Sequence, residues 1–173
     1  MIVRRAEERD LDAMLDLYEA VAAEGRYIGG EAPVDREARR LRWLEHFEDP
    51  DHVSFVAEAG GRIVGQGALT GTGVAELGML VASDWRGHGV GTALMQACLD
   101  WARRSGAHKI ALQVWPHNEA ARNLYRKFGF EEEGYLRRHW RRRNGELWDS
   151  VIMGLLIPEN EAATSSNVAQ CGD

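Results

Sequence analysis

Three glycines at alternate positions, Gly87, Gly89 and Gly91, stand where an apolar run gives way to a helical pattern. Leu77, Met79, Leu80 and Val81 precede them, and Val90, Leu94, Cys98 and Trp101 follow on one helical face. Glycine lets another molecule come close to the backbone. The first turn of a helix leaves N–H groups unpaired and carries the positive end of its dipole, so it attracts phosphate. The junction reads as a pyrophosphate cradle, with a tight strand-to-helix turn as the plain alternative. A Walker-type loop needs Gly-Lys-Ser/Thr for the outer phosphates and magnesium, but the chain has Gly91-Thr92-Ala93. The dinucleotide fingerprint Gly-x-Gly-x-x-Gly fails on its last interval, and the stretch from Lys109 to Val114 offers only Gln113 where an acid is required.

The pattern that does fit is Arg/Gln-x-x-Gly-x-Gly/Ala, carried by Arg86, Gly89 and Gly91. A second constellation follows one helix and one strand later. Lys109 to Trp115 reads as a buried strand, Pro116-His117-Asn118 breaks it, and a short helix runs from Glu119 to Phe128 with Gly129 behind it. Asn118 and Tyr125 fall on one face of that helix, about two turns apart. Their ordinary readings are an N-cap and an amphipathic core residue. With both motifs in this order, Asn118-x-x-Ala121-x-x-x-Tyr125-x-x-x-Gly129-Phe130 included, the chain resembles the GNAT superfamily of acetyl-CoA-dependent N-acyltransferases.

The resemblance implies a mixed α/β fold, a central sheet of about seven strands flanked by helices and closed by a C-terminal hairpin. It implies acetyl-CoA as co-substrate and no metal. Residues Arg86, Gly87, His88, Gly89, Val90, Gly91 and Thr92 would cradle the pyrophosphate, and Asn118 would hold the pantetheine arm. A backbone N–H in the Leu80-Val81 region would face the developing oxyanion. Tyr125 would face the thioester sulfur as general acid. Glu76, the acid nearest the cradle on the strand that feeds it, is the candidate base. Strand alternation puts it with Gly78 and Leu80, opposite Leu77, Met79 and Val81, unless a bulge shifts the register. Relatives that acetylate protein N-termini have a glutamate five residues before the asparagine. Gln113 stands there in this chain and cannot take up a proton usefully. A water chain or Glu24 remains open for that role.

Acceptor recognition must come from the less patterned parts. The stretch from Glu24 to Pro33 is glycine-hinged and carries Glu24, Arg26, Tyr27 and Glu31. It reads as a site-lining loop, with a mobile connection as the alternative. Its glutamates suit an ammonium, Tyr27 a cation–π contact, and Arg26 a carboxylate, so it does not choose between a polyamine and an amino acid. The run from Arg137 to Arg143, with His139 and Trp140 inside it, could grip phosphates and stack bases. A solvated or cross-strand-paired face is the preferred account, because alternation splits the side chains and Glu131, Glu132, Glu133, Glu146 and Asp149 lie nearby. His88 and His117 read as surface contacts.

Bulk properties agree. The chain has 173 residues, 45% hydrophobic and 28% charged, with a formal charge of −6. That is a soluble globular composition, and no apolar run reaches the ~20 residues of a membrane span. Two cysteines, Cys98 in a helix and Cys171 in a polar tail, give neither a disulfide framework nor a zinc site. The start carries no secretory signal, so the expected location is the cytoplasm. Helices are expected near 11–21, behind Asp10 as a cap, and from Asp35 to Phe47. Strands are expected at 2–6, within 51–62 ahead of a turn at Gly60-Gly61, at 63–69 and 74–81, and at 132–143 and 146–156 on either side of Asn144-Gly145, a strong hairpin signal. Residues 1–157 form one expected domain, with 158–173 as a polar, disordered tail.

The reading is an N-acetyltransferase acting on a primary amine by direct attack in a ternary complex. The acceptor is a small-molecule amine or amino acid, with a protein N-terminus or lysine as further options. A catalytically silent coenzyme-A sensor and an RNA- or ribosome-associated protein are the alternatives. Membrane association is not expected, nucleic acid is disfavoured, and a homodimer stays open.

Overall fold

The computed structural model describes residues 1–158, so the expected polar tail lies, from residue 159 on, outside the described residues. In chain order the elements are β1 (Ile2–Arg5), α1 (Leu11–Ala23), α2 (Arg36–Glu48), β2 (His52–Ala59), β3 (Arg62–Thr70), β4 (Val74–Val81), α3 (Val90–Ser105), β5 (Lys109–Val114), α4 (Glu119–Lys127), β6 (Glu131–Arg141) and β7 (Leu147–Leu156). Short 3-10 turns at Glu8–Asp10 and Ser83–Trp85 lead into α1 and the glycine loop.

The strands form one mixed sheet in the order β1-β2-β3-β4-β5-β7-β6. Among the described residues only β4 and β5 run parallel. Their pairing is short: Val74 with Lys109, Ala75 with Ile110 and Glu76 with Ala111. Beyond Glu76 the two strands part, because β4 stays in register with β3 as far as Val81 while β5 follows β7 to Val114. The sheet therefore opens into a V at its centre, next to the glycine loop.

Local chemistry accounts for the element ends. Asp35 caps α2 by accepting from the Ala38 N–H at 3.0 Å. Asp10 does not cap α1 as the sequence suggests; its carboxylate accepts from Arg4 at 2.7 and 2.8 Å and from the Glu7 N–H at 2.8 Å. Burial and this ion pair win over capping. The hairpin between β6 and β7 forms, but as a wider loop than a two-residue turn. Gly145, at φ +88°, donates to Arg142 O at 2.9 Å, and Arg142 N–H donates to Glu146 O at 2.8 Å.

Helix α3 buries Val90, Leu94, Met95 and Cys98 against the sheet. It can come this close because β3 carries Gly65 and Gly67 beneath it. A Cβ on Gly65 would stand 2.6 Å from Val90 Cγ1, and one on Gly67 would stand 3.3 Å from Cys98 Sγ. On the other face α1 and α2 pack Met14, Leu15, Tyr18 and Trp43 over Val56 of β2. The two helices are also joined by an ion pair of Arg36 with Asp16 at 2.9 Å.

Candidate active site

The V between β4 and β5 opens into a cleft of about 840 Å³ that runs from the glycine loop to the α1–α2 connection. Ala82 N–H donates to Val64 O at 2.9 Å. Strand alternation then turns the N–H groups of Met79 and Val81 away from β3, into the gap that β5 has left. These are the donors a carbonyl oxygen lying in the V would meet.

At one end of the cleft lies the glycine loop. None of the N–H groups of residues 87–92 has a protein acceptor among the described residues. They head a helix of 16 residues, so the dipole adds to their pull on an anion. Gly87 and Gly89 are needed for backbone conformation, at φ +77° and +81°, with open space where a Cβ would point. Gly91 serves packing instead: its Cβ would stand 2.9 Å from Leu124 Cδ2 of α4. The loop donors thus fit a pyrophosphate, and the closeness of α3 to α4 fits a pantetheine arm running between strand and helix. Arg86 donates from Nε to Val81 O at 3.1 Å and forks onto Glu24 at 2.6 and 2.7 Å. His88 bonds the Arg86 carbonyl at 2.9 Å and stays exposed.

On α4, Asn118 caps the helix by accepting from Ala121 N–H at 3.2 Å, and it also lines the cleft. Tyr125 lines it one face along and is buried, packed at 5.7 Å from Phe130. Burial, with Cys98 beside it, pushes its phenol up to about 12, so the hydroxyl keeps its proton at neutral pH. Burial likewise pushes the Cys98 thiol up to about 12. Glu76 is exposed and does not line the cleft; it sits at the last position where β4 pairs with β5, on the face it shares with Gly78 and Leu80.

The α1–α2 connection roofs the other end. Tyr27, Ile28, Gly29 and Gly30 line the cleft there, and Tyr27 lies beneath the Arg86 guanidinium at 4.4 Å. Glu24 lies outside the lining, its carboxylate occupied by Arg86. Glu31 is also engaged, accepting from the Arg143 N–H at 3.2 Å.

Comparison with known proteins agrees with this geometry. The Acetyltransferase (GNAT) family profile matches residues 13–130. The chain belongs to the GNAT family. It is 30% identical over 164 residues to an Escherichia coli L-amino acid N-acetyltransferase, covering 88% of this chain and 96% of that protein. It is also 30% identical over 142 residues to an L-methionine sulfoximine/L-methionine sulfone acetyltransferase of Pseudomonas aeruginosa, covering 78% of this chain and 82% of the other. Among solved structures, an acetyltransferase from Salmonella typhimurium with its cofactor acetyl-CoA superposes with a TM-score of 0.82 at 23% identity, over 92% of this chain and 95% of that one. This GNAT chain is accordingly an N-acyltransferase that uses acetyl-CoA and acetylates an amine; a silent sensor and an RNA-binding hairpin are not favoured. No helix among the described residues is long and apolar enough to cross a membrane.

In this GNAT chain the arginine run is exposed as the sequence suggests, from Arg137 to Arg141 and at Arg143, but its alternation breaks and Arg142 turns inward. Register breaks between Leu136 and Trp140, where Arg138 takes φ +53° and its N–H donates to Asp149 Oδ1 at 2.6 Å. Arg142 is only 4% exposed. Its guanidinium lies 4.4 Å over Trp148 and donates to Gly29 O at 3.2 Å. Arg143 adds a bond to Pro33 O at 3.0 Å. The end of the run therefore pins the roof of the cleft.

Sequence reasoning did not single out Tyr18, Arg39, Trp43 or Gln66, all of which line the cleft. Gln113 is there too, its Oε1 accepting from Trp140 Nε1 at 3.2 Å and Ser150 Oγ at 3.1 Å. Arg39 sits one helical turn before Trp43, a spacing that could have flagged it; nothing in the run Gly65-Gln66-Gly67 distinguishes Gln66 from an ordinary strand residue.

Proposed function

We propose that this GNAT protein passes the acetyl group of acetyl-CoA directly to the primary amine of a small molecule held under the α1–α2 roof. The observation that carries this reading is the V between β4 and β5, with a phosphate-binding loop at one end and a roofed chamber at the other. Relatives named for acetylating amino acids and methionine sulfoximine support a small acceptor.

Each residue then has a task. The N–H groups of residues 87–92 hold the pyrophosphate, and Arg86 braces the loop from which they project. Asn118 and the edge of β4 at Leu80-Val81 hold the pantetheine arm. The Val81 N–H, with Met79 behind it, faces the carbonyl oxygen as charge develops there. Tyr125 serves the departing sulfur. Thiols ordinarily titrate near 8.5. A phenol held near 12 does not surrender its proton to such a thiolate, so Tyr125 stabilises it by hydrogen-bond donation. The thiolate's proton comes from the attacking nitrogen, which is acidic once it has bonded to carbon. The balance is ammonium plus acetyl-CoA giving amide, free coenzyme A and one proton.

That one proton must leave before attack. Gly78 has open space where a side chain would be, and Glu76 is the next residue on the same face. Water over Gly78 with Glu76 as its nearest β4 carboxylate is the assigned exit. An acetyl-enzyme is not needed: the Cys98 thiol is buried and protonated. Residues 1–157 act as the catalytic domain, in the cytoplasm, where acetyl-CoA is supplied.

Thermal melting with acetyl-CoA, coenzyme A and NAD tests the cradle, followed by thiol release over a panel of primary amines. A ligand at about 100 times its dissociation constant adds roughly 2.7 kcal/mol to stability. Stabilisation by acetyl-CoA but not NAD, with thiol release on a small amine, is expected. A folded protein indifferent to acetyl-CoA overturns the reading.

A further inference from the structure

We infer that Arg39 and Gln66 form a receptor for an α-amino acid, Arg39 taking the carboxylate and Gln66 the amine that is acetylated. The inference rests on the acetyltransferase reading and deepens it by naming the class of acceptor and the residues that select it.

Arg39 is the cation in the chamber without a counter-ion. Its guanidinium carbon lies 3.7 Å from the centre of the Tyr18 ring and 5.7 Å from that of Trp43, and it lines the cleft. Among the described residues it forms no ion pair and no side-chain hydrogen bond, and its Nε is buried without a partner. By contrast, Arg36 and Arg40 on the same helix both pair with carboxylates of α1. Burial pulls the Arg39 pKa below its ordinary value, with Arg42 adding to the effect. A desolvated guanidinium fixed by aromatic stacking is preorganised for a two-point bond to a carboxylate. Gly30 of the roof packs against Tyr18: a Cβ there would stand 2.0 Å from its hydroxyl, so any side chain would displace the ring that carries Arg39.

Gln66 supplies the second observation. It is 6% exposed, lines the cleft, and its Oε1 is buried with no donor. Such an acceptor calls for an N–H. Its place fits the amine, because Gln66 is paired across the sheet with Leu80, in the part of β4 that borders the thioester. A carboxamide cannot remove a proton, so Gln66 acts by holding one N–H and leaving the nitrogen lone pair free for the carbonyl carbon. The bond made is N–C and the bond broken is C–S. One proton goes to solvent and one to the sulfur, as in the parent reaction. An acceptor that carries a carboxylate beside its amine offers a partner to each of the two unpaired groups lining this cleft, while a polyamine would bring a second cation towards Arg39.

The test compares each standard L-amino acid with its own carboxamide as acceptor, following coenzyme A release by wild type, Arg39→Met, Arg39→Lys and Gln66→Met. Wild type is expected to prefer at least one free amino acid over its carboxamide by roughly 100-fold in kcat/KM. Arg39→Met should abolish that preference through KM, raising it far more for the free acid than for the carboxamide, with Arg39→Lys recovering part of it. Gln66→Met should lower both acceptors alike, because both carry the amine. Equal use of acid and carboxamide by wild type overturns the inference, whatever the variants do, as does an equal loss of both in Arg39→Met. Acetylation of plain amines such as putrescine or tyramine but of no amino acid also overturns it, and leaves the acetyltransferase reading standing. Thiol release on no amine at all, with acetyl-CoA bound, brings down both.

Discussion

The guanidinium of Arg86 grips the carboxylate of Glu24 in two hydrogen bonds of 2.6 and 2.7 Å, joining the glycine loop to the α1–α2 roof. Acetyl-CoA and acceptor sites therefore share a strut. The pair is partly exposed on both sides, so its direct worth is modest, about 0.5–1 kcal/mol. Glu24→Gln should leave the fold intact and raise the KM of the acceptor two- to five-fold, more at low salt than at high. Steady-state kinetics across an ionic-strength series checks it; an unchanged acceptor KM would show that the strut does not position the roof.

Tyr125→Phe removes one oxygen from a side chain that is buried in the wall of the cleft. Acetyl-CoA affinity should hold, since the ring still packs on Phe130. Turnover should fall roughly 100- to 1,000-fold, the span expected when one donor to developing charge is lost. With the phenol near 12, the pH profile below pH 10 should be the same in both proteins. A variant that loses an inflection near neutral pH would mean that Tyr125 titrates in the working range.

The conformation of the glycine loop and the start of α4 were legible because backbone conformation and helix spacing leave marks in sequence: glycines where φ is positive, an asparagine at a cap, a tyrosine two turns on. The parting of β4 from β5 was not, since the apolar run from Leu77 to Val81 looks the same whether or not a neighbour pairs with it. The arginine run was legible as a solvated face except at its end. Alternation gives no hint of the bulge that interrupts it or of the turn beyond, which carries Arg142 inward. Arg39 was hidden among its neighbours Arg36, Arg40 and Arg42; only packing shows which of them lacks a carboxylate and faces the cleft.

Arg142 offers a measure of what the roof contributes. Its removal by Arg142→Ala strips a buried cation from Trp148 and leaves the Gly29 carbonyl without its donor. A stability loss of about 1–3 kcal/mol is expected. Acceptor KM should rise more than acetyl-CoA Kd, because the roof covers only one end of the cleft. Denaturant melts and a KM comparison check this, and equal effects on both ligands would contradict the division of the cleft.

Gly89 and Gly91 should fail differently when replaced. Gly91→Val drives a side chain into Leu124, 2.9 Å from the first added carbon, and so pushes at the helix that carries Tyr125. Overpacking of this kind costs about 1–3 kcal/mol and should lower both turnover and acetyl-CoA affinity. Gly89→Ala meets no atom, only the strain of a positive φ, about 1–2 kcal/mol. It should weaken acetyl-CoA binding by disturbing the loop while kcat at saturation stays near wild type. Identical kinetic defects in the two variants would place both glycines in the same role.

Acid should loosen the fold through His52, which does not line the cleft. Its ring bonds Thr70 Oγ1 and Ser54 Oγ, both at 2.8 Å, and stacks on His46 at 4.2 Å. Burial first, then His46, pulls its pKa from 6.5 to about 4. The folded value lies below the unfolded one, so between these values the unfolded chain binds the extra proton and stability drains away as pH falls. Each tenfold drop in proton affinity would cost a fully sealed ring about 1.4 kcal/mol in acid. His52 is half-buried, and solvent screening reduces the whole loss to about 1–2 kcal/mol. Asp10, held below its ordinary 3.8 by Arg4, keeps its ion pair through this window and contributes its own loss only at lower pH. His52→Gln retains a hydrogen-bonding side chain without a titrating proton. Its melting temperature should therefore fall less steeply than that of wild type between pH 6.5 and 4.5, and the two slopes should coincide above pH 7. Parallel slopes throughout would mean that another group carries the acid sensitivity.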